Sequence, residues 1–136
     1  MSYLNKFTAN TQLKLSPFFE RTSKLNESQE WRRWSGYLSA TNYELTHENE
    51  YFAIRTKAAL LDISPLKKYL IDGLDASKLL DKLVTRNIQI CKVGQVMYTP
   101  WCDENGKVID DGTVQRLSKS KYRITSAEPN LDWINH

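Results

Sequence analysis

The stretch from Gln95 to Ser126 constrains the fold more than any other part of the chain. Three runs rich in Val, Ile, Thr and Tyr, spanning Gln95–Cys102, Lys107–Leu117 and Lys121–Ser126, are separated by Glu104-Asn-Gly106 and Ser118-Lys-Ser120. Asn-Gly is the strongest short hairpin signal because both residues tolerate positive φ, so the three runs read as antiparallel strands. Upstream, Lys68-Tyr-Leu-Ile-Asp72 is a further strand candidate ended by Gly73. Asp75 to Val84 then reads as a helix, with Asp75 as N-cap and Leu79, Leu80, Leu83 and Val84 as its apolar stripe. Strand, helix and meander together predict an α+β layer, not a doubly wound parallel sheet.

The first half is less regular. Residues 1–30 are polar, with Ser16-Pro17 before Phe18 and Phe19, and read as an arm with one apolar anchor. Trp31-Arg-Arg-Trp34-Ser-Gly36-Tyr37-Leu38 concentrates ring area that packing against a second layer explains better than base stacking. Thr46-His-Glu-Asn49 resembles a helix cap, and Tyr51, Ile54, Ala58 and Leu61 fall at helical spacing, which predicts a helix to about Ala59. Leu60–Ser64 switches to a strand-like apolar run stopped by Pro65, and Pro129–Ile134 opens a second helix with Asn130 as candidate cap. The organisation expected is an arm and the start of a first domain over 1–45, followed by an α+β portion over 46–136.

Charge and cysteine content narrow the chemistry. A net charge of +3, from 19 basic and 16 acidic residues interspersed along 136, gives no basic stripe for nucleic acid or an anionic membrane. Apolar runs of a few residues fall far short of the roughly 20 that span a bilayer, and neither a secretory h-region nor an Arg-rich targeting pattern follows Met1. The expected location is the cytoplasm, where Cys91 and Cys102 stay free thiols. With His47 and His136 beside them, these residues make no ligand set at metal spacing. Phosphate loops, nucleophile elbows and zinc motifs are missing as well.

Two adjacent acids, Asp110 and Asp111, stand inside the strand Lys107–Leu117. Strand alternation places Val108, Asp110 and Val114 on one face and Ile109, Asp111, Thr113 and Leu117 on the other, so one carboxylate shares a face with apolar neighbours whichever side packs inward. Burying an ionised carboxylate without partners is costly. Two accounts follow: a bulge or edge at Gly112 that turns both acids to solvent, or one acid that holds a ligand N–H or tunes a reacting nitrogen. Tyr98, on the neighbouring strand, reads as a core residue.

The order of these segments resembles a known family. Glu50-Tyr-Phe-Ala-Ile-Arg55 and Ala58-Ala-Leu-Leu-Asp62-Ile-Ser64 are similar to the "EYxAVR…AGLFDVS" segment of the glycine-cleavage T-protein (aminomethyltransferase) family. Gly73-Leu-Asp-Ala76, Leu80-Asp-Lys-Leu83, Val93-Gly-Gln95, Tyr98-Thr99 and Asn105-Gly-Lys-Val-Ile-Asp-Asp111 keep in step, and Ser16-Pro17-Phe18 and Gly36-Tyr37 resemble its "TPLY" and "GW" landmarks.

The resemblance implies the N-terminal part of a three-domain, folate-binding ring, truncated at His136 inside that architecture. It further implies a tetrahydrofolate-dependent one-carbon (methyl or aminomethyl) transferase. The second aspartate of the family's pair sits beside the folate, which assigns Asp111 as the catalytic and cofactor-binding acid that orients folate for attack through N5, with Asp110 structural. Thr125-Ser126-Ala127 matches the family's "SNA" stretch and makes Ser126 a folate contact. Asp62-Ile-Ser-Pro-Leu-Lys67 replaces "DVSHMG" and points to branches that demethylate methoxy-aromatic acids, dimethylated amines or sulfonium compounds. The expected partners are folate, a small methylated or aminomethyl donor, and a chain supplying the C-terminal domains. The alternative is a non-catalytic truncated paralogue that binds folate or a protein, with Trp133 and Ile134 as interface residues.

Overall fold

Residues 13–135 are described by the computed structural model, which divides between Pro65 and Leu66 into two compact units. The arm through residue 12 and the chain end at His136 lie outside the described residues. In the first unit, α1 (Phe19–Thr22) leads through a 3-10 turn to a hairpin of β1 (Trp31–Trp34) and β2 (Tyr37–Ala40). Ser35 and Gly36 link them with φ of 46° and 83°, the doubly positive backbone of a type I′ loop, whose twist matches that of the flanking strands. Lys14 adds a bridge to this hairpin: its N–H donates to Gly36 O and its carbonyl accepts from Leu38 N, both at 2.9 Å. The aromatic concentration is used locally, with Phe19 at 5.2 Å from Trp31 and the Arg32 guanidinium 5.9 Å over Trp34.

Two expectations for this unit change. Helix α2 (Glu48–Thr56) is shorter at both ends than its spacing predicts. No side chain caps it; the Thr46 hydroxyl bonds Glu48 instead, which holds that exposed carboxyl below its usual range. At Lys57 the backbone leaves helical geometry (φ −134°, ψ −116°), so Ala58 and Ala59 fall outside. The run Leu60–Ser64 forms no strand among the described residues, and Leu60 and Leu61 are exposed. An apolar run becomes a strand only where another backbone supplies its ladder, and β-propensity without that partner decides little.

The second unit is the predicted α+β layer. Strands β3 (Lys67–Asp72), β4 (Val96–Cys102), β5 (Val108–Arg116) and β6 (Lys121–Ser126) form one antiparallel sheet in the order β3-β6-β5-β4. The Asn-Gly turn forms with a different backbone from the doubly positive one. Gly106 alone takes positive φ, 78°, and its N–H donates to Asp103 O at 3.0 Å. The Asp103 carboxylate accepts from the N–H groups of Asn105 (2.9 Å) and Lys107 (2.8 Å), an Asx turn that closes the loop without asking Asn105 for a left-handed backbone.

Helix α3 (Ala76–Leu83) is amphipathic, and the buried side chains of Ala76 and Leu80, with Val84 just after it, meet Trp101, Val114, Tyr122 and Ile124 from the sheet. Leu79, expected in that stripe, is 42% exposed instead. Asp75 holds the N-cap position, yet its carboxylate pairs with Lys78 Nζ at 3.0 Å rather than with a helix N–H. Each fully buried Leu or Ile contributes about 1.5–3 kcal/mol of transfer free energy, and Leu80 and Ile88 are both fully buried.

The single-turn helix α4 (Leu131–Ile134) forms where the sequence opens one. Ile134, 9% exposed, joins the core, and Trp133 stacks on Trp101 with centroids 6.2 Å apart and planes 20° from parallel. A one-turn helix is unstable alone, and here packing holds it in place.

Candidate functional site

The placement of the two aspartates begins with a bulge. Trp101 opposes Asp110 and Cys102 opposes Val108, so Ile109 is an extra residue on β5 with no partner on β4. One inserted residue shifts side-chain alternation. From Asp110 onward, Asp110, Gly112 and Val114 point to the face covered by α3, while Asp111, Thr113 and Gln115 point to the opposite, outer face; Val114 is buried and Asp111 exposed. The bulge therefore lies at Ile109, not Gly112, ahead of both acids, and ordinary strand alternation places them on opposite faces instead of turning both to solvent.

Asp110 is half-buried and its carboxylate is fully engaged. Oδ2 accepts from Asn130 Nδ2 at 2.6 Å and from Glu128 N at 3.3 Å, and Oδ1 accepts from the N–H of Asp111 at 2.8 Å. Asn130 Nδ2 also approaches Glu128 O (3.1 Å) and Ser126 Oγ (3.2 Å), while its backbone N–H donates to Tyr69 Oη at 2.9 Å. Ser126, 2% exposed, donates its hydroxyl to Glu128 O at 3.1 Å. This is how a carboxylate on an apolar face is tolerated, since each lone pair used offsets part of its desolvation.

Asp111 stands on the outer face. Tyr98, which faces the same side from β4 and pairs in register with Thr113, donates its phenol O–H to Asp111 Oδ2 at 2.8 Å. The expectation that Tyr98 is a core residue is overturned: it is 57% exposed, because Met97 and Thr99 hold the inward positions of β4. The hydrogen bond to the Asp111 carboxylate raises the Tyr98 phenol above its ordinary value, and desolvation and the carboxylate's charge act in the same direction. In register beside this pair, Thr113 and Thr125 continue the outer face across β5 and β6.

Between the two acids and β6 there is no room for a side chain at position 112. A Cβ on Gly112 would lie 2.1 Å from Thr125 O, 3.1 Å from Thr125 C and 3.2 Å from Trp101 Cη2. Its φ lies outside the left-handed region, so glycine is required for close approach and not for conformation.

The expected site residues separate accordingly. Asp111 is exposed on the outer face, whereas Ser126 pairs in register with Gly112 on the inner face with its hydroxyl engaged, so the sheet lies between them. Tyr98, Asn130 and Gly112 complete the arrangement without having been singled out for it. The Tyr98–Asp111 proximity follows only once the strand register is known. Among the described residues, no cluster of His, Cys, Asp and Glu could hold a metal ion, and no helix is long and apolar enough to cross a membrane.

Comparison with known proteins bears on this arrangement. The family model of the GCVT N-terminal domain matches residues 18–136. The chain belongs to that family. An aminomethyltransferase of Halothermothrix orenii is 32% identical over 127 residues, covering 90% of this chain and 34% of the relative. A trimethylamine-oxide aldolase of Ruegeria pomeroyi is 43% identical over 86 residues, 62% of this chain and 11% of the relative. The crystal structure of the glycine cleavage system aminomethyltransferase T of Bartonella henselae superposes with a TM-score of 0.77 at 24% identity, over 90% of this chain and 33% of that one. The fold is thus that of the N-terminal part of the T-protein. The chain spans about a third of the length of the aminomethyltransferases it matches.

Proposed function

We propose that this GCVT N-terminal domain chain supplies the folate-orienting wall of a tetrahydrofolate-dependent one-carbon transferase. The observation that carries the reading is the exposed carboxylate of Asp111, held in one direction by the Tyr98 phenol on an open sheet face. Such a pair suits a flat heteroaromatic ligand rich in N–H donors: the carboxylate accepts, and the exposed Tyr98 ring offers an edge or face for packing. Tetrahydrofolate, when bound, supplies the nitrogen that accepts the one-carbon unit. Asp111 accepts a ligand N–H and fixes orientation, a contribution through positioning. Tyr98 holds the Asp111 rotamer, and Asp110 stays in its inner network. Ser126 takes no direct part, because its hydroxyl faces the other side of the sheet.

The donor in this reading is a small methylated or aminomethylated compound, in keeping with the aminomethyltransferase and trimethylamine-oxide aldolase names of the relatives. The remainder of the site comes from sequence outside these residues, whether continuous with the chain or on a partner chain. Anaerobic calorimetric titration with tetrahydrofolate tests the proposal. A charge-assisted hydrogen bond contributes about 1.5–3 kcal/mol, so Asp111→Asn should weaken binding roughly tenfold to hundredfold. Equal affinity of the two proteins would remove Asp111 from the role. If the chain alone shows no binding, the same pair of titrations on the full-length protein or reconstituted complex decides.

A further inference from the structure

Asp111 is the end of a chain of contacts that starts in the segment after β6. We infer that Asn130 and Asp110 are positioning residues for Asp111: the Asn130 amide holds the Asp110 carboxylate against the Asp111 backbone N–H and thereby sets the direction of the Asp111 side chain. The inference deepens the proposed function and rests on it for its consequence in ligand binding; its geometry stands without it.

Asp111 needs such support because the ladder is weak where it sits. It lies two residues past the unpaired Ile109 and just outside the β5–β6 pairing, which begins at Gly112 opposite Ser126. Asp110 Oδ1 accepts from Asp111 N at 2.8 Å, so a side chain fixes backbone that the sheet fixes poorly. Asp110 can do this only if its own rotamer is held. The contact at 2.6 Å from Asn130 Nδ2 is the shortest that Asp110 makes, and it comes from a side chain 6% exposed. Asn130 is anchored in turn by Tyr69 Oη on its backbone N–H and by Ser126 Oγ and Glu128 O beside its amide. A neutral amide is required at this place: a carboxylate at position 130 would face that of Asp110, and an apolar residue would leave Oδ2 short of a donor in a half-buried setting.

The test reads Tyr98, whose phenol reports contact with Asp111 without any ligand. Tyrosine labelled at 13Cζ is followed by NMR through alkaline titration, the Tyr98 signal being assigned by its loss in Tyr98→Phe. Asp111→Asn sets the titration midpoint of a Tyr98 that has lost the carboxylate. Asn130→Ala should move the midpoint down toward that reference, and so should Asp110→Asn, which keeps side-chain size and remains informative if Asn130→Ala does not fold. Ile88→Val, which trims a fully buried core side chain outside this network, should lower stability and leave Tyr98 where it is. An unmoved Tyr98 in a folded Asn130→Ala or Asp110→Asn protein would overturn the inference and leave Asn130 a structural residue. Because folate is absent from this experiment, its outcome is independent of the calorimetric test.

Discussion

Gly112→Ala is the substitution that most directly tests the close approach of β5 and β6 beside the two aspartates. The added methyl would sit 2.1 Å from Thr125 O, far inside any allowed contact, and 3.2 Å from Trp101 Cη2. Neither obstacle yields cheaply, since one is ladder backbone and the other a ring buried against Trp133. Overpacking typically costs about 1–3 kcal/mol, and a backbone obstacle argues for the upper end. Unfolding entropy is about 2.1 cal/mol/K per residue, so about 3 kcal/mol lowers Tm by roughly 20 °C if the second unit, of about 70 residues, melts by itself, and by roughly 10 °C if the whole chain melts together. The control is Gly106, with φ of 78° and nothing within 4 Å of a built Cβ. There the requirement is conformational, so Gly106→Asn should recover most of the stability that Gly106→Ala loses, because Asn tolerates the left-handed region. Gly112→Asn should be worse than Gly112→Ala. Calorimetric melts of the four variants decide: a Gly112→Ala shift below about 5 °C, or any recovery by Gly112→Asn, would refute the steric argument.

Leu80→Ala should destabilise by about 2–5 kcal/mol in urea or thermal melts, because Leu80 is fully buried at the centre of the α3–sheet contact, while Leu79→Ala, on the exposed side of the same helix, should cost well under 1 kcal/mol. The Tyr98–Asp111 bond also gives a sign to alkaline stability. A phenol whose folded-state pKa is raised above its unfolded value of about 10 contributes stability that is fully present below that pH and lost as pH rises through the folded value. Comparing chemical melts of wild type and Tyr98→Phe from neutral to alkaline pH checks this: the wild-type advantage should shrink on the alkaline side, and an advantage that grows there would contradict it.

Local chemistry was enough for the elements whose stability is local. Lys121–Ser126 was legible to the residue, and β3, β4 and β5 to within one residue at their ends, because alternation and turn residues carry that information within a few positions. The first hairpin is not legible in the same way: Trp31–Leu38 reads by its ring area alone, and of the Ser35-Gly36 loop only Gly36 takes positive φ freely. The run Leu60–Ser64 shows the limit: its composition matches a strand, but a strand needs a partner backbone, and no neighbouring residue reports whether one arrives.

The site divides along the same line. The sequence alone supplied two adjacent acids in a strand and, through collinear motifs, their family. It grouped Asp110 with Val114 and Asp111 with Thr113, but could not say which of the two faces packs inward, since that depends on where α3 and the rest of the core lie. Nor could it join Tyr98 to Asp111 across β4 and β5, or Asn130 to Asp110 across twenty positions of chain. Those contacts exist because tertiary packing brings distant segments within hydrogen-bonding reach, and hydrogen bonds act over about 3 Å of space whatever the separation in sequence.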